Sequence, residues 1–115
     1  MGVNTTKVSG NTIMVTGFTA DDWYLANDLP GWDAGLILHS IIYKPSGAND
    51  VMIIRNSRVV TTTAAKIVEW KVGGDTEEQV WYAPVGAGVR YFPYIVFGDL
   101  TSDTEANVRV IFHFL

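Results

Sequence analysis

The segment 107–115, NVRVIFHFL, alternates: Val108, Val110, Phe112 and Phe114 fall on one face of an extended chain, Arg109, Ile111 and His113 on the other. A period of two marks a half-buried β-strand, because successive side chains point to opposite faces. The phenylalanine face is therefore the inner one. In the same way Val68, Trp70 and Val72 face inward while Glu69 and Lys71 face out. Short runs rich in Val, Ile, Thr and aromatic residues predict strands at 12–17, 36–44, 50–56, 58–63, 65–72, 78–83, 93–98 and 107–115. Turn chemistry separates them, in KPSGAND, VGGDTEE, PVGAGVR and GDLTSDTEAN. No stretch has the period of an amphipathic helix, so no helical crossover is at hand to build a parallel sheet. The expected class is all-β: an antiparallel, jelly-roll-like β-sandwich of about eight strands.

The 115 residues are enough for one domain with a real core, burying about two-thirds of the surface of the unfolded chain. Residues 1–11 are expected to form an N-terminal arm and 18–35 a long loop or contact arm. Charged residues are only 17% of the chain against 48% apolar, a balance that suits a protein with surface hidden in an oligomer. The net charge of −4 comes with eight scattered basic residues and no basic run, which argues against direct nucleic-acid contact. The absence of cysteine excludes a disulfide framework and a cysteine-based zinc site. The start MGVNTTKVSGN is not signal-like, and no run approaches the roughly 18 apolar residues of a membrane span.

Two strands break the alternation. LILHSIIYK carries Leu36, Leu38 and Ile42 on one face and Ile37, Ile41 and Tyr43 on the other, and PYIVF sets Ile95 and Phe97 against Tyr94 and Val96. An apolar second face in an antiparallel sheet needs a cover. Either the 18–35 segment folds over it or a partner subunit does. The candidate interface residues are Ile37, Ile41, Tyr43, Tyr94, Val96 and the outward Ile111.

The segment FTADDWYLANDLPGWDAG, residues 18–35, has the residue types of a sugar or calcium loop. Trp23, Tyr24 and Trp32 could stack on a sugar ring while Asp21, Asp22, Asp28 or Asp33 bound hydroxyls or a cation. The carboxylates do not follow D-x-D-x-D-G spacing, however, and Leu-Pro-Gly-Trp reads as a turn, so a structural loop is the expectation. Asp99, Asp103 and Glu105 fall on a turn-rich connection where acids usually cap and solvate. His39 and His113 are accompanied by neither G-x-S-x-G nor H-E-x-x-H and read as ordinary strand residues. VGAGVR has no phosphate-binding lysine or following helix. No catalytic residue, metal ligand or cofactor is expected.

The order of segments adds a resemblance. Pro45, Ser46 and Asp50, then Ile53, Ile54, Arg55 and Asn56, then Arg90, Pro93, Tyr94 and Ile95, and finally Ala106, Asn107, Val110, Ile111 and Phe112 fall in sequence over residues 36–114. The pattern resembles small proteins encoded among the structural genes of tailed bacteriophages, which read P-S-A-x-x-D, V-I-I-R-N/D-G, K/R-x-x-P-Y-I and A-N-x-x-V-I-F. The resemblance implies a virion protein of jelly-roll or sandwich fold and no enzyme. In that reading it is a capsid decoration or cement protein, made in the host cytoplasm and sitting as a homotrimer on the head against the major capsid protein or another virion protein. Ser57 stands where the pattern has glycine, and 18–35 is longer and more aromatic than the pattern. The competing expectation is a carbohydrate-binding sandwich module using 18–35, which the same fold would serve.

Overall fold

The computed structural model describes residues 5–17, 22–29, 31–32, 34–45, 50–57, 64–71, 78–84, 89–96 and 108–115. They contain nine strands: β1 (Thr5–Ser9), β2 (Thr12–Thr16), β3 (Trp23–Tyr24), β4 (Leu38–Lys44), β5 (Val51–Asn56), β6 (Lys66–Lys71), β7 (Gln79–Tyr82), β8 (Pro93–Ile95) and β9 (Arg109–Phe114). A single helical turn, α1 (Leu25–Asp28), follows β3. β2 pairs with β9, β3 with β8, β4 with β7 and β5 with β6, always antiparallel. From β2 onward the chain is thus one long hairpin doubled back between β5 and β6. Rolling it up sets β9 beside β4 and β8 beside β5. The result is two sheets, β1-β2-β9-β4-β7 and β3-β8-β5-β6, the strand order of a jelly-roll sandwich.

One core fills the space between the sheets. Ile13, Val15, Ile41, Tyr43, Val110 and Phe112 come from the five-stranded sheet, and Trp23, Met52, Ile54, Trp70 and Ile95 from the four-stranded one. Two stacked aromatic pairs bridge the layers. Trp23 lies on Phe112 with centroids 5.3 Å apart and planes 13° apart, and Tyr43 on Trp70 at 5.5 Å and 19°. Such pairs add about 0.5–1.5 kcal/mol each beyond the area they bury. The inner face of β9 is the expected one: Val108, Val110 and Phe112 are fully buried and Arg109 is exposed.

The described residues depart from the sequence reading at β1, at β3 with α1, and at Ile41 and Tyr43. Residues 5–9, expected in an arm, form β1, which pairs with β2 from Thr5↔Thr16 to Ser9↔Thr12. The two-residue loop Gly10-Asn11 closes that hairpin, and Gly10 supplies the positive φ of +57° that such turns require. The 18–35 segment contains β3 and α1 rather than loop alone. The strand expected at 58–63 lies outside the described residues. Finally, Ile41 and Tyr43, expected on the outer face, are fully buried with Leu36 and Leu38. The pairing of β4 with β9 jumps from Leu38↔Phe114 to Ser40↔His113, a bulge that makes His39 the extra residue. One added residue inverts every side chain beyond it. Ile42, not Ile41, therefore faces outward.

Candidate functional site

The outer face of the five-stranded sheet is ordered by its register into three rows that cross the strands. The middle row runs Lys7, Met14, Ile111, Ile42, Val80. On one side lie Thr5, Thr16, Arg109 and Lys44, with Glu78 ion-paired to Lys44 at 3.2 Å. On the other lie Ser9, Thr12, His113, Ser40 and Tyr82. Four apolar side chains thus form a contiguous stripe on a face that antiparallel sheets commonly leave to water. Met14, Ile111 and Ile42 are half-buried by their neighbours, and Val80 is 41% exposed. An apolar centre between polar rows is the anatomy of a protein interface.

The two histidines border one concavity at the polar row. His113 Nδ1 shares a hydrogen bond with Thr12 Oγ1 at 3.2 Å, and His39 Nδ1 with Ser40 Oγ at 3.1 Å. His39 also meets the Tyr82 ring edge-on at 6.2 Å. With Asn11 and Leu115 these residues line a shallow, open concavity of about 550 Å³. Each imidazole thus shares its Nδ1 hydrogen bond with the hydroxyl of a neighbouring side chain.

Trp23, Tyr24 and Trp32 pack against aromatic rings of the chain itself. Trp23, a candidate sugar platform, is fully buried on Phe112, and its indole Nε1–H donates to Thr6 Oγ1 at 2.9 Å. Trp32 packs edge-on against Phe114 at 5.3 Å. Tyr24 stands edge-on to Tyr94 at 5.7 Å, and the Tyr94 hydroxyl donates to Asp22 Oδ2 at 2.9 Å. Tyr94, expected at an interface, is consequently fully buried although it points away from the core residue Ile95. Its second face is covered by Tyr24 and Asp22. Asp28 lies half-buried in α1. Asp21, Asp33, Asp99, Asp103 and Glu105 lie outside the described residues. Among the described residues no three His, Asp or Glu side chains gather as a metal site would require.

Of the other interface candidates, Val96 and Ile37 are half-buried, the latter with its carbonyl accepting the Leu115 N–H at 2.9 Å. Ile111 alone of the six stands in the stripe. Its row neighbours Met14, Ile42 and Val80 were not foreseen, because only the strand order makes them neighbours.

One buried group stands apart. The Tyr43 hydroxyl has no hydrogen-bond partner among the described residues. Burial pushes its pKa above the ordinary tyrosine value, and the nearby buried Asp50 carboxylate adds to the shift.

Of the residues that carry the phage-like pattern, Arg55, Asn56, Pro93 and Tyr94 sit where β5 and β8 join the two halves of the four-stranded sheet. Arg55 Nη1 donates to the Ala64 carbonyl at 2.8 Å. Asn56 Oδ1 accepts the Phe92 N–H at 2.8 Å, and Asn56 pairs with Pro93. Ser57, in place of the pattern's glycine, donates its N–H to the Phe92 carbonyl at 2.9 Å. These roles hold strands together. Comparison with protein-family models, with curated proteins and with solved structures gives no match.

Proposed function

We propose that this chain is a structural virion protein of a tailed phage, a capsid decoration or cement protein that works by protein–protein contact without catalysis or cofactor. The observation that carries the reading is the stripe Met14–Ile111–Ile42–Val80 on the outer face of the five-stranded sheet. It gives an assembly protein a docking face for the major capsid protein. Arg109 and its cross-strand neighbour Lys44, the latter ion-paired with Glu78, border it and form a rim that suits a partner carrying carboxylates. The resemblance of residues 36–114 to phage structural proteins supplies the setting. The carbohydrate-binding alternative needs exposed, coplanar rings, and Trp23 and Trp32 are engaged inside the chain.

The test is made on particles. Phage purified from the host that encodes this chain should carry it through a density gradient and retain it after a salt wash. Particles reconstituted with the Ile111→Asp chain should lose it. Recovery of the wild-type chain only in the free fraction would sink the proposal.

A further inference from the structure

A sheet edge offers a row of unpaired backbone donors and acceptors, which proteins blunt with lysines or with very short strands. The sandwich has four edges among the described residues, and three are blunted in this way. β1 carries Lys7 at its centre, β6 carries Lys66, Glu69 and Lys71, and β3 is two residues long. The fourth, β7, reads Gln-Val-Trp-Tyr with no charge, and leaves Val80 41% and Tyr82 68% exposed.

The backbone direction on β7 follows from one hydrogen bond. The Ala83 N–H donates to the His39 carbonyl at 3.0 Å. Because antiparallel pairing alternates, Gln79 and Trp81 also turn their peptide groups toward β4, whereas Val80 and Tyr82 turn theirs to the open side.

We infer that β7 is a self-pairing edge, through which two copies of this chain join antiparallel about a two-fold axis into one continuous sheet. A pairing centred on Trp81 sets Val80 of each copy opposite Tyr82 of the other. The outward peptide groups of both residues are then satisfied twice over by symmetry. Each pair is β-branched against aromatic on the outer face, a favourable cross-strand combination. No like charges come opposite, since β7 has none. A second copy fits better than an unrelated strand because the edge is complementary to itself, as an isologous contact demands. The apolar stripe ends at Val80, so the pairing also runs the stripes of both copies together across the joint. This contact does not depend on the virion reading, and it sets a two-fold pair against the homotrimer that the resemblance implies.

Light scattering on the full chain should give a dimer. Val80→Pro deletes an N–H that faces the open side and spares the ladder to β4, so it should give a folded monomer with an unaltered far-ultraviolet dichroism spectrum. Tyr82→Lys should give the same result without touching the backbone. Trp81→Pro removes an N–H that faces β4 and should unfold the chain. The natural sequence has no cysteine, so crosslinks are unambiguous. A Val80→Cys chain mixed with a Tyr82→Cys chain should form the unlike disulfide in several-fold excess over either like one, at a cross-strand spacing of about 5.5 Å. A monomeric wild-type chain, or a trimer that Val80→Pro and Tyr82→Lys leave intact, would overturn the pairing while leaving the particle reading standing. An intact dimer that does not bind particles would do the reverse.

Discussion

The two sheets treat their outer faces differently. On the four-stranded sheet the outward aromatic Tyr94 is roofed by Tyr24 and tied to Asp22, so the chain covers its own second face. On the five-stranded sheet Ile111 stands between Met14 and Ile42 in a row that no described segment roofs. The strands that carry Tyr94 and Ile42, β8 and β4, look alike as sequence, each with apolar residues on both sides. An apolar second face therefore signals a cover, and only the path of the remaining chain says whether that cover is internal.

The same kind of substitution on the two faces sharpens the contrast. Tyr94→Asp should unfold the chain, since it sets a buried carboxylate beside Asp22 with no partner, at a cost of several kcal/mol. A cooperative thermal transition in that variant would show that the roof is not a true cover. Next in size is Trp23→Ala, which removes the stacked ring that anchors the roofing segment to the core. It should lower stability by about 3–5 kcal/mol in urea unfolding. A loss below about 1 kcal/mol, the size of an ordinary surface change, would detach the 18–35 segment from the fold.

Ile111→Asp should cost the isolated chain only about 1 kcal/mol, because the residue is half-buried between Met14 and Ile42 and takes no part in the core. Its effect belongs to particle binding, where a carboxylate buried against a partner costs several kcal/mol. Equal binding of wild type and variant in a co-sedimentation assay would remove the stripe from the interface.

The smallest effect is expected at Tyr43. Its folded-state pKa is raised, so the folded chain holds the phenolic proton more tightly than the unfolded one. That contribution is complete below the unfolded value of about 10 and is lost as pH climbs above it. Stability should fall through the alkaline range, and Tyr43→Phe should flatten the fall. At neutral pH the same variant removes a buried hydroxyl without a described partner, and should raise stability by up to about 1 kcal/mol. An alkaline profile identical in the two chains would move the effect to another group.

Seven of the nine strands were legible from period-two alternation, because each sets an apolar face against a polar one or is apolar throughout. β1 was not. TTKVS lies at an edge with its side chains mostly exposed, so it has no buried stripe to display. β3 is two residues long, too short for any period, and the burial of Trp23 depends on Phe112 arriving from β9. The bulge at His39 was hidden for another reason. With apolar residues on both sides of LILHSIIYK, alternation cannot tell inside from outside, and a slip of one residue leaves no trace. Ile111 was readable as an outward isoleucine between Arg109 and His113. Its companions in the stripe come from three other strands and required the register.

The long hairpin has a consequence for the order in which the molecule can form. β5 and β6 are neighbours along the chain and can pair early, whereas Thr12↔His113 joins residues almost a chain length apart. β9 occupies the middle of its sheet, between β2 and β4. Until residues 109–114 have left the ribosome, that sheet exists as two separate ribbons, each with an open inner edge and an uncovered apolar face. Folding dominated by such distant pairings is slow. During synthesis the nascent chain is therefore most exposed to association with its neighbours just before the last strand slots in.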